Sequence, residues 1–482
     1  MRRGSQYLEA LKDQRSVYLD GERADVTTHP AFRGITRTIA GLYDYAADPA
    51  NGMSFTSPEI SGPANKVFMI PRSQQDLFAR REAIAKWHAR THGLVGRSPD
   101  HVGSFLAGFA SNAAFFDEPN RAFGKNVTEF YKKVLREDLY VSYVIIPPQV
   151  DRSKTAQGWD EEFLQAGVCK ETEKGIVVRG SQMLGTAAAV ADYVLVSCIV
   201  PLKPGDENYA NTFVVPVNTP GLKLYCRPPY GVNKSSVFDY PLSTRFDETD
   251  VLAVFDDVFV PWENVFVYKN VEKVRNQFFA TPAHVLGNNQ AQIRLTAKMK
   301  FLAGLARKIA AVNKIEVIPS VMEKLGELAS LSSIVEGMEL ASIASCVTDK
   351  TGVARPNPRF LYAPMGLQAE LFPRAVQILR ELAGGGMLQV PSSVKDLTSK
   401  ETAGDINRYI RSPEVPAEER IKLMKLAWDF VGTEFGGRQL QYEMFYAGAP
   451  YVAKGYAFRN YGYDEALKVV NEFLAAYSVE TE

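Results

Sequence analysis

Residues 254–266 read VFDDVFVPWENVF. An apolar, β-branched run stops at Pro261-Trp262, where proline removes a ladder donor, so the stretch predicts the end of a strand. Asp256 and Asp257 are expected to tie down the turn beyond it, and Trp262 to plug a domain junction. The same texture recurs upstream in GIVVRG (175–180), DYVLVSCIV (192–200), NTFVVPV (211–217) and GLKLYC (221–226). Gly, Pro and Asn clusters separate these runs. Together they predict a compact β region over 141–275, of barrel or sandwich type.

The period changes on either side. DLFARREAIAKWHARTHG carries Leu77, Ile84 and Trp87 near helical spacing and stops at Gly93. RSPDHVGSFLAGFA follows, with Ser98 as N-cap, Pro99 at the first helical position, and Val102, Phe105 and Phe109 on one face. After the β region, Val321, Leu325, Leu328, Leu331, Val335 and Met338 mark a long periodic helix, with bundle neighbours on both sides. Gly384-Gly385-Gly386 ends one of them. The expected organisation is an α+β, mainly α chain: helices over 1–140, a β domain over 141–275, and a helical bundle over 276–482.

Bulk composition excludes several classes. The 482 residues carry 55 Lys+Arg and 55 Asp+Glu, so net charge recommends neither nucleic acid nor a membrane surface. Cys169, Cys198, Cys226 and Cys346 form no CxxC pair, and no secretory signal follows Met1, which points to a reducing cytoplasm. No apolar run approaches the roughly 20 residues of a membrane-spanning helix.

His88 and His92 share a helical face, but Ala89 stands where a zinc protease needs glutamate, so a solvated or capping pair is expected and no metal. Walker, Rossmann and GxSxG patterns are missing. Arg97 precedes the Ser98 cap, and His101 falls in the first helical turn. That electropositive spot suits an anion and disfavours imidazolium, so His101 should be neutral and able to accept a proton. Gly436 and Gly437 interrupt a helical pattern, at a close helix crossing or beside a flat ligand.

THPAFRG (28–34), GRSPDH (96–101), IPPQVDR (146–152), TEKGIVVRGSQMLGT (172–186), FDDVFVPWENVF (255–266) and WDFVGTEFGGRQLQYEMF (428–445), in that order, resemble the oxygenase component of two-component flavin-dependent aromatic monooxygenases. The 4-hydroxyphenylacetate 3-monooxygenase and chlorophenol monooxygenase groups are the nearest in pattern. The resemblance implies an acyl-CoA dehydrogenase-like fold and a cytoplasmic homotetramer. It also implies reduced FAD from a separate NAD(P)H:flavin reductase, and O2 as co-substrate. The activity implied is hydroxylation of a phenolic or related aromatic through a flavin C4a-hydroperoxide.

Carried over residue by residue, it gives catalytic roles to Arg97, His101 and Tyr143. His101 and Tyr143 stand where the hydroxyphenylacetate enzymes have tyrosine and histidine, an exchange that argues against that substrate but not against the chemistry. Substrate contacts would come from these three, His284 and Arg438. The cofactor would meet Gln149, Val150, Asp151, Arg152, Gln157, Gly185, Thr186, Gly448, Ala449, Pro450 and Tyr451, with the Thr186 hydroxyl toward the flavin N5 region. The alternative within this fold is an enzyme acting on a CoA thioester, a dehydrogenase or a 4-hydroxybutyryl-CoA dehydratase-like protein. The dehydratase needs an iron–sulfur cluster on three cysteines and a histidine, and the four cysteines lie far from the GRSPD region where that family places a pair.

Overall fold

The 254–266 stretch falls in strand Val251–Pro261 of the computed structural model, which describes residues 1–232 and 236–478. The strand ends on Pro261, opposite Gly175, as its proline dictates. Asp256 and Asp257 do not hold the following turn. They lie inside the strand, where the register shifts between Phe255 and Val258 and Asp257 takes φ 52°. Asp256 and Asp257 together stand against the single residue Arg179, one extra residue, so both acids turn outward as a β-bulge. There Asp256 meets Lys223 at 2.7 Å and Asp257 meets Arg179. Trp262 starts a single helical turn. Its indole N–H donates to the Thr172 carbonyl at 3.2 Å and its ring lies under the Arg121 guanidinium.

Two sheets make up the β region. The first runs Glu22–Arg23, Ser16–Leu19, Leu222–Cys226, Val251–Pro261, Gly175–Gln182, Gly167–Thr172. The second runs Val265–Val267, Thr212–Pro216, Tyr193–Val196, Val141–Val144. Alternation sends Phe213 and Phe255 inward, where their rings meet edge to face. Two strands of the first sheet come from the stretch expected to be mostly helical. Ser16–Leu19 pairs in parallel with Leu222–Cys226, and Asp20-Gly21, both at positive φ, turn the chain into Glu22–Arg23. An Asp-Gly pair between β-formers is a hairpin signal.

The bundle is built round Ala283–Val312, whose first half is buried on every side. Pro319–Ala344, Pro358–Ala383 and, from the N-terminal region, Pro99–Ser111 pack against it. Gly108 seats on the Pro282-Ala283 backbone, and a Cβ there would come within 2.3 Å of Ala283. This contact brings the 99–111 helix onto the start of the central one. Among the described residues no helix is long and apolar enough to cross a membrane.

Candidate active site

Pro99 opens its helix as expected, but Ser98 does not cap it through the side chain. The Ser98 hydroxyl donates to Asp100 at 2.5 Å instead. One turn separates Arg97 from His101, which stacks the two side chains, and Arg97 Nη1 lies 2.6 Å from His101 Nε2. Tyr143, from the strand Val141–Val144, closes the group, its ring centroid 5.5 Å from that of His101. Arg97, His101 and Tyr143 are therefore brought together.

Tyr442 and Tyr446 complete the surround. With Arg438 they fall at spacings of four along the helix Glu434–Phe445 and just past it, so they share a face. The Arg97 guanidinium carbon sits 5.1 Å from the Tyr143 and Tyr442 ring centres and 5.0 Å from that of Tyr446. Ring faces attract a cation without neutralising it. Glu248, the nearest acid, accepts the Arg97 backbone N–H at 2.6 Å and Arg438 Nη1 at 3.0 Å. Among the described residues the Arg97 side chain makes no ion pair. The result is a partly exposed cation with no carboxylate on its guanidinium, its charge steadied from a distance by the three tyrosines and Glu248.

Electrostatics follows. Burial and then the Arg97 charge push His101 well below the ordinary histidine range. It is neutral at pH 7, as the sequence led us to expect. Burial pushes Tyr446 up to about 12, against the pull of Arg97. Burial also drives Asp100 upward, but His88, Ser98 and Gln290 outweigh it and hold the carboxyl down at about 2. His88 is buried against Asp100 at 3.1 Å, so it is not a solvated residue, while His92 caps its helix at φ 53° and stacks on Phe301.

Arg438 does not meet open space. Glu248 and Asp250 hold it, the latter at 2.8 Å, and Asp250 also takes the Thr186 hydroxyl at 2.6 Å. Two carboxylates take three of the five guanidinium N–H donors, so Arg438 braces the site. The Thr186 hydroxyl hydrogen is likewise committed to Asp250. Gly436 is needed because a Cβ would come within 2.6 Å of the Phe430 carbonyl, a close crossing of backbone, whereas Gly437 faces open space.

His284 belongs to another cluster. Its Nδ1 lies 2.7 Å from the Tyr362 hydroxyl, and Phe279 and Tyr456 flank the ring. Burial, then Arg459, lowers it to about 3.

Three loops converge at the mouth of the β region. Met183 N–H donates to Ile146 and Ile199 N–H to Ile145. Val150, Leu184, Ile199 and Val200 there form an exposed apolar ledge, with Gln149, Arg152 and Gln157 exposed beside it. Asp151 accepts from the Ser153 backbone N–H and hydroxyl in an exposed turn, and Gly185 is packed between Val144 and Val251. Gly448, at φ 85°, leads through Ala449 into the helix Pro450–Asn460, with Tyr451 exposed. Among the described residues no group of three or more His, Cys, Asp and Glu is placed to hold a metal.

Sequence reasoning missed Glu248, Asp250, Tyr442, Tyr446 and Gln290. The four-residue spacing of Arg438, Tyr442 and Tyr446 was the available signal for the tyrosines.

Comparison with known proteins bears on this geometry. Residues 3–267 match the profile of the 4-hydroxyphenylacetate 3-hydroxylase N-terminal domain and residues 274–475 that of its C-terminal domain. The chain is 37% identical to a Streptomyces globisporus (3S)-3-amino-3-(3-chloro-4-hydroxyphenyl)propanoyl-[peptidyl-carrier protein SgcC2] monooxygenase, covering 92% of this chain and 84% of that one. It is 36% identical to the 4-hydroxyphenylacetate 3-monooxygenase oxygenase component of Thermus thermophilus, covering 93% and 92%. A crystal structure of an oxygenase component of 4-hydroxyphenylacetate 3-monooxygenase, complexed with FAD and 4-hydroxyphenylacetate, superposes with a TM-score of 0.93. Its identity is 33% and it covers 99% of both chains.

Proposed function

We infer the chemistry of this site from one premise: the chain belongs to the 4-hydroxyphenylacetate 3-hydroxylase family. It is the oxygenase component of a flavin-dependent aromatic monooxygenase, using reduced FAD and O2 on a phenolic or related aromatic substrate. The Arg97 cation, with no carboxylate on its guanidinium, walled by three tyrosine rings and bonded to a neutral histidine, carries our reading of its residues.

FAD fits the residues present. An apolar ledge at Val150, Leu184, Ile199 and Val200 suits a flat ring system, and Gln149, Arg152 and Gln157 supply donors for its polar parts. We assign Gly185, Thr186 and Gly448 to Tyr451 to the same cofactor. When bound and reduced, FAD supplies activated oxygen drawn from O2. The chain does the rest. Arg97 draws the phenol oxygen in and stabilises it as phenolate, which raises ring electron density. His101 takes the phenol proton on Nε2. Tyr143, Tyr442 and Tyr446 keep water from the Arg97 face. Arg438 anchors Glu248, which fixes the Arg97 backbone. His284 sits apart from these groups and receives no step.

The substrate, the separate NAD(P)H:flavin reductase, a cytoplasmic location and a homotetramer are further parts of the proposal. Four unpaired cysteines favour a reducing compartment. The helix Tyr463–Ala475 buries none of its residues and exposes Leu467, Val470, Phe473 and Leu474, a face suited to a second copy of the chain. The test is a count of hydroxylated product per reduced FAD consumed, with hydrogen peroxide measured alongside, across a panel of phenols. Most oxygen should reach a phenol in the wild type, and nearly all should leave as peroxide in Arg97→Ala. Equal product yields in the two proteins would remove Arg97 from the mechanism.

A further inference from the structure

We propose that Gln290 is a positioning residue that locks His101 in one tautomer, with the proton on Nδ1 and the Nε2 lone pair turned toward Arg97. It deepens the reading of His101 as proton acceptor and rests on that reading for its catalytic meaning.

The argument is one of donors and acceptors. Gln290 is fully buried on the central helix. Its amide nitrogen lies 3.0 Å from Asp100 Oδ2 and 3.1 Å from His88 Nε2, and its oxygen lies 3.0 Å from His101 Nδ1. Which way an amide points must be decided by its network. Asp100 decides it here. An ionised carboxylate only accepts, so the amide N–H must face Asp100 and the amide oxygen must face His101. That oxygen only accepts, so Nδ1 must carry hydrogen. The other end of the imidazole agrees independently. Arg97 only donates, and its Nη1 is 2.6 Å from Nε2, so Nε2 must present a lone pair. Two fixed ends specify the same tautomer.

The interposed amide has a chemical consequence. The groups facing His101 are Arg97 and Asp100 beside it, Arg294 and Gln290 from the central helix, Tyr143 from its strand and Tyr446 from the bundle. A carboxylate at position 290 would stabilise imidazolium at rest, leaving no base. The amide oxygen accepts from Nδ1–H whether the ring is neutral or charged. An arriving phenol hydroxyl takes the place of the Arg97 N–H at the single Nε2 lone pair; its O–H bond then breaks and an N–H bond forms on Nε2, while Arg97 turns its freed N–H to the phenol oxygen. The electron pair stays on the phenolate oxygen beside Arg97, and the Nδ1–H bond to Gln290 persists throughout. Asp100 thus orients the base through Gln290 without sharing its charge directly.

The first test needs no ligand. The chain has five histidines, few enough for 15N-histidine labelling of the full protein, with His101 assigned by its loss in His101→Asn. His101 should show the Nδ1–H form alone in the wild type and in Arg97→Met, where Gln290 alone holds it, and a mixture once Gln290→Met or Gln290→Asn is added to Arg97→Met. The asparagine, too short to reach both partners, guards against misfolding of the methionine variant. An Nε2–H form in the wild type, or an unchanged tautomer in both double variants, overturns the proposal. The second test titrates protein-bound 4-nitrophenol by its visible phenolate band, without flavin. Ionisation in Gln290→Met should need about one pH unit more than in the wild type, a tenfold loss. Adding His101→Asn to it should shift the midpoint no further. A purely structural role would weaken binding equally at every pH, and that result overturns the positioning claim. Tautomer control without any ionisation of 4-nitrophenol would sustain the positioning of His101 while removing the phenol reading of the site.

Discussion

Arg97 matters for its shape as well as its charge. A planar guanidinium can lie among three rings and still donate at its edge, whereas a lysine ammonium is a compact point charge. Arg97→Lys should therefore keep substrate attraction but lose at least tenfold in product formed per reduced FAD, about 1.4 kcal/mol of transition-state stabilisation. Separate assays of product and peroxide would show this. His284 offers a stability readout. Its folded pKa is depressed to about 3 from 6.5, so the unfolded chain binds the proton more readily. Its contribution is complete above pH 6.5 and is lost as pH falls toward 3, about 1–2 kcal/mol by pH 5. Urea melts at pH 7.5 and pH 5 should show a smaller acid loss in His284→Gln than in the wild type; equal losses would mean that His284 already titrates normally in the fold. Arg97 and His101 were legible in the sequence because the signal is local: a cap, a proline and one helical turn. The fate of Arg438 was not, since its two acids lie 190 and 188 positions away.

Elements were read well where period and termini agreed. Pro319–Ala344 announced itself by spacing, and Pro99–Ser111 by spacing and by proline at the first position. The bulge in Val251–Pro261 did not, because acids at a strand end and acids at a bulge look alike in one dimension. The central helix was also harder to interpret. Its apolar stripe hides Arg294 and Lys298, both buried and both held by Glu443, with Arg294 Nη2 at 2.8 Å from it. Burial drives Glu443 upward, but the two cations outweigh it and hold it at about 2. Burial lowers Lys298 to about 8 despite Glu443. One carboxylate thus serves two buried cations. Glu443→Gln should cost about 3–5 kcal/mol, since it strands charge in the core. Denaturant melts would measure this, and a loss below about 1 kcal/mol would mean that solvent already reaches the cluster.

Taken whole, the molecule leaves a large apolar face on its last helices. Tyr451 is 79% exposed, Phe473 70% and Phe458 65%. Deleting the helix Tyr463–Ala475 should reduce the proposed homotetramer to smaller species in light scattering coupled to size exclusion. An unchanged mass would place the interface elsewhere. The homotetramer is an expectation carried by the resemblance. An apolar stripe at helical spacing looks the same whether the chain's own core or a neighbouring copy covers it.

The parallel pairing of Ser16–Leu19 with Leu222–Cys226 bears on biosynthesis. During translation the early strand leaves the ribosome roughly 200 residues ahead of the only edge it can join in this sheet besides its own hairpin partner. At about 5–20 residues per second it waits on the order of 10–40 seconds with that edge unpaired. The nascent chain is most vulnerable to chaperone capture, or to pairing with a neighbouring polysome, in that interval, and slowing codons placed between the two strands would lengthen it.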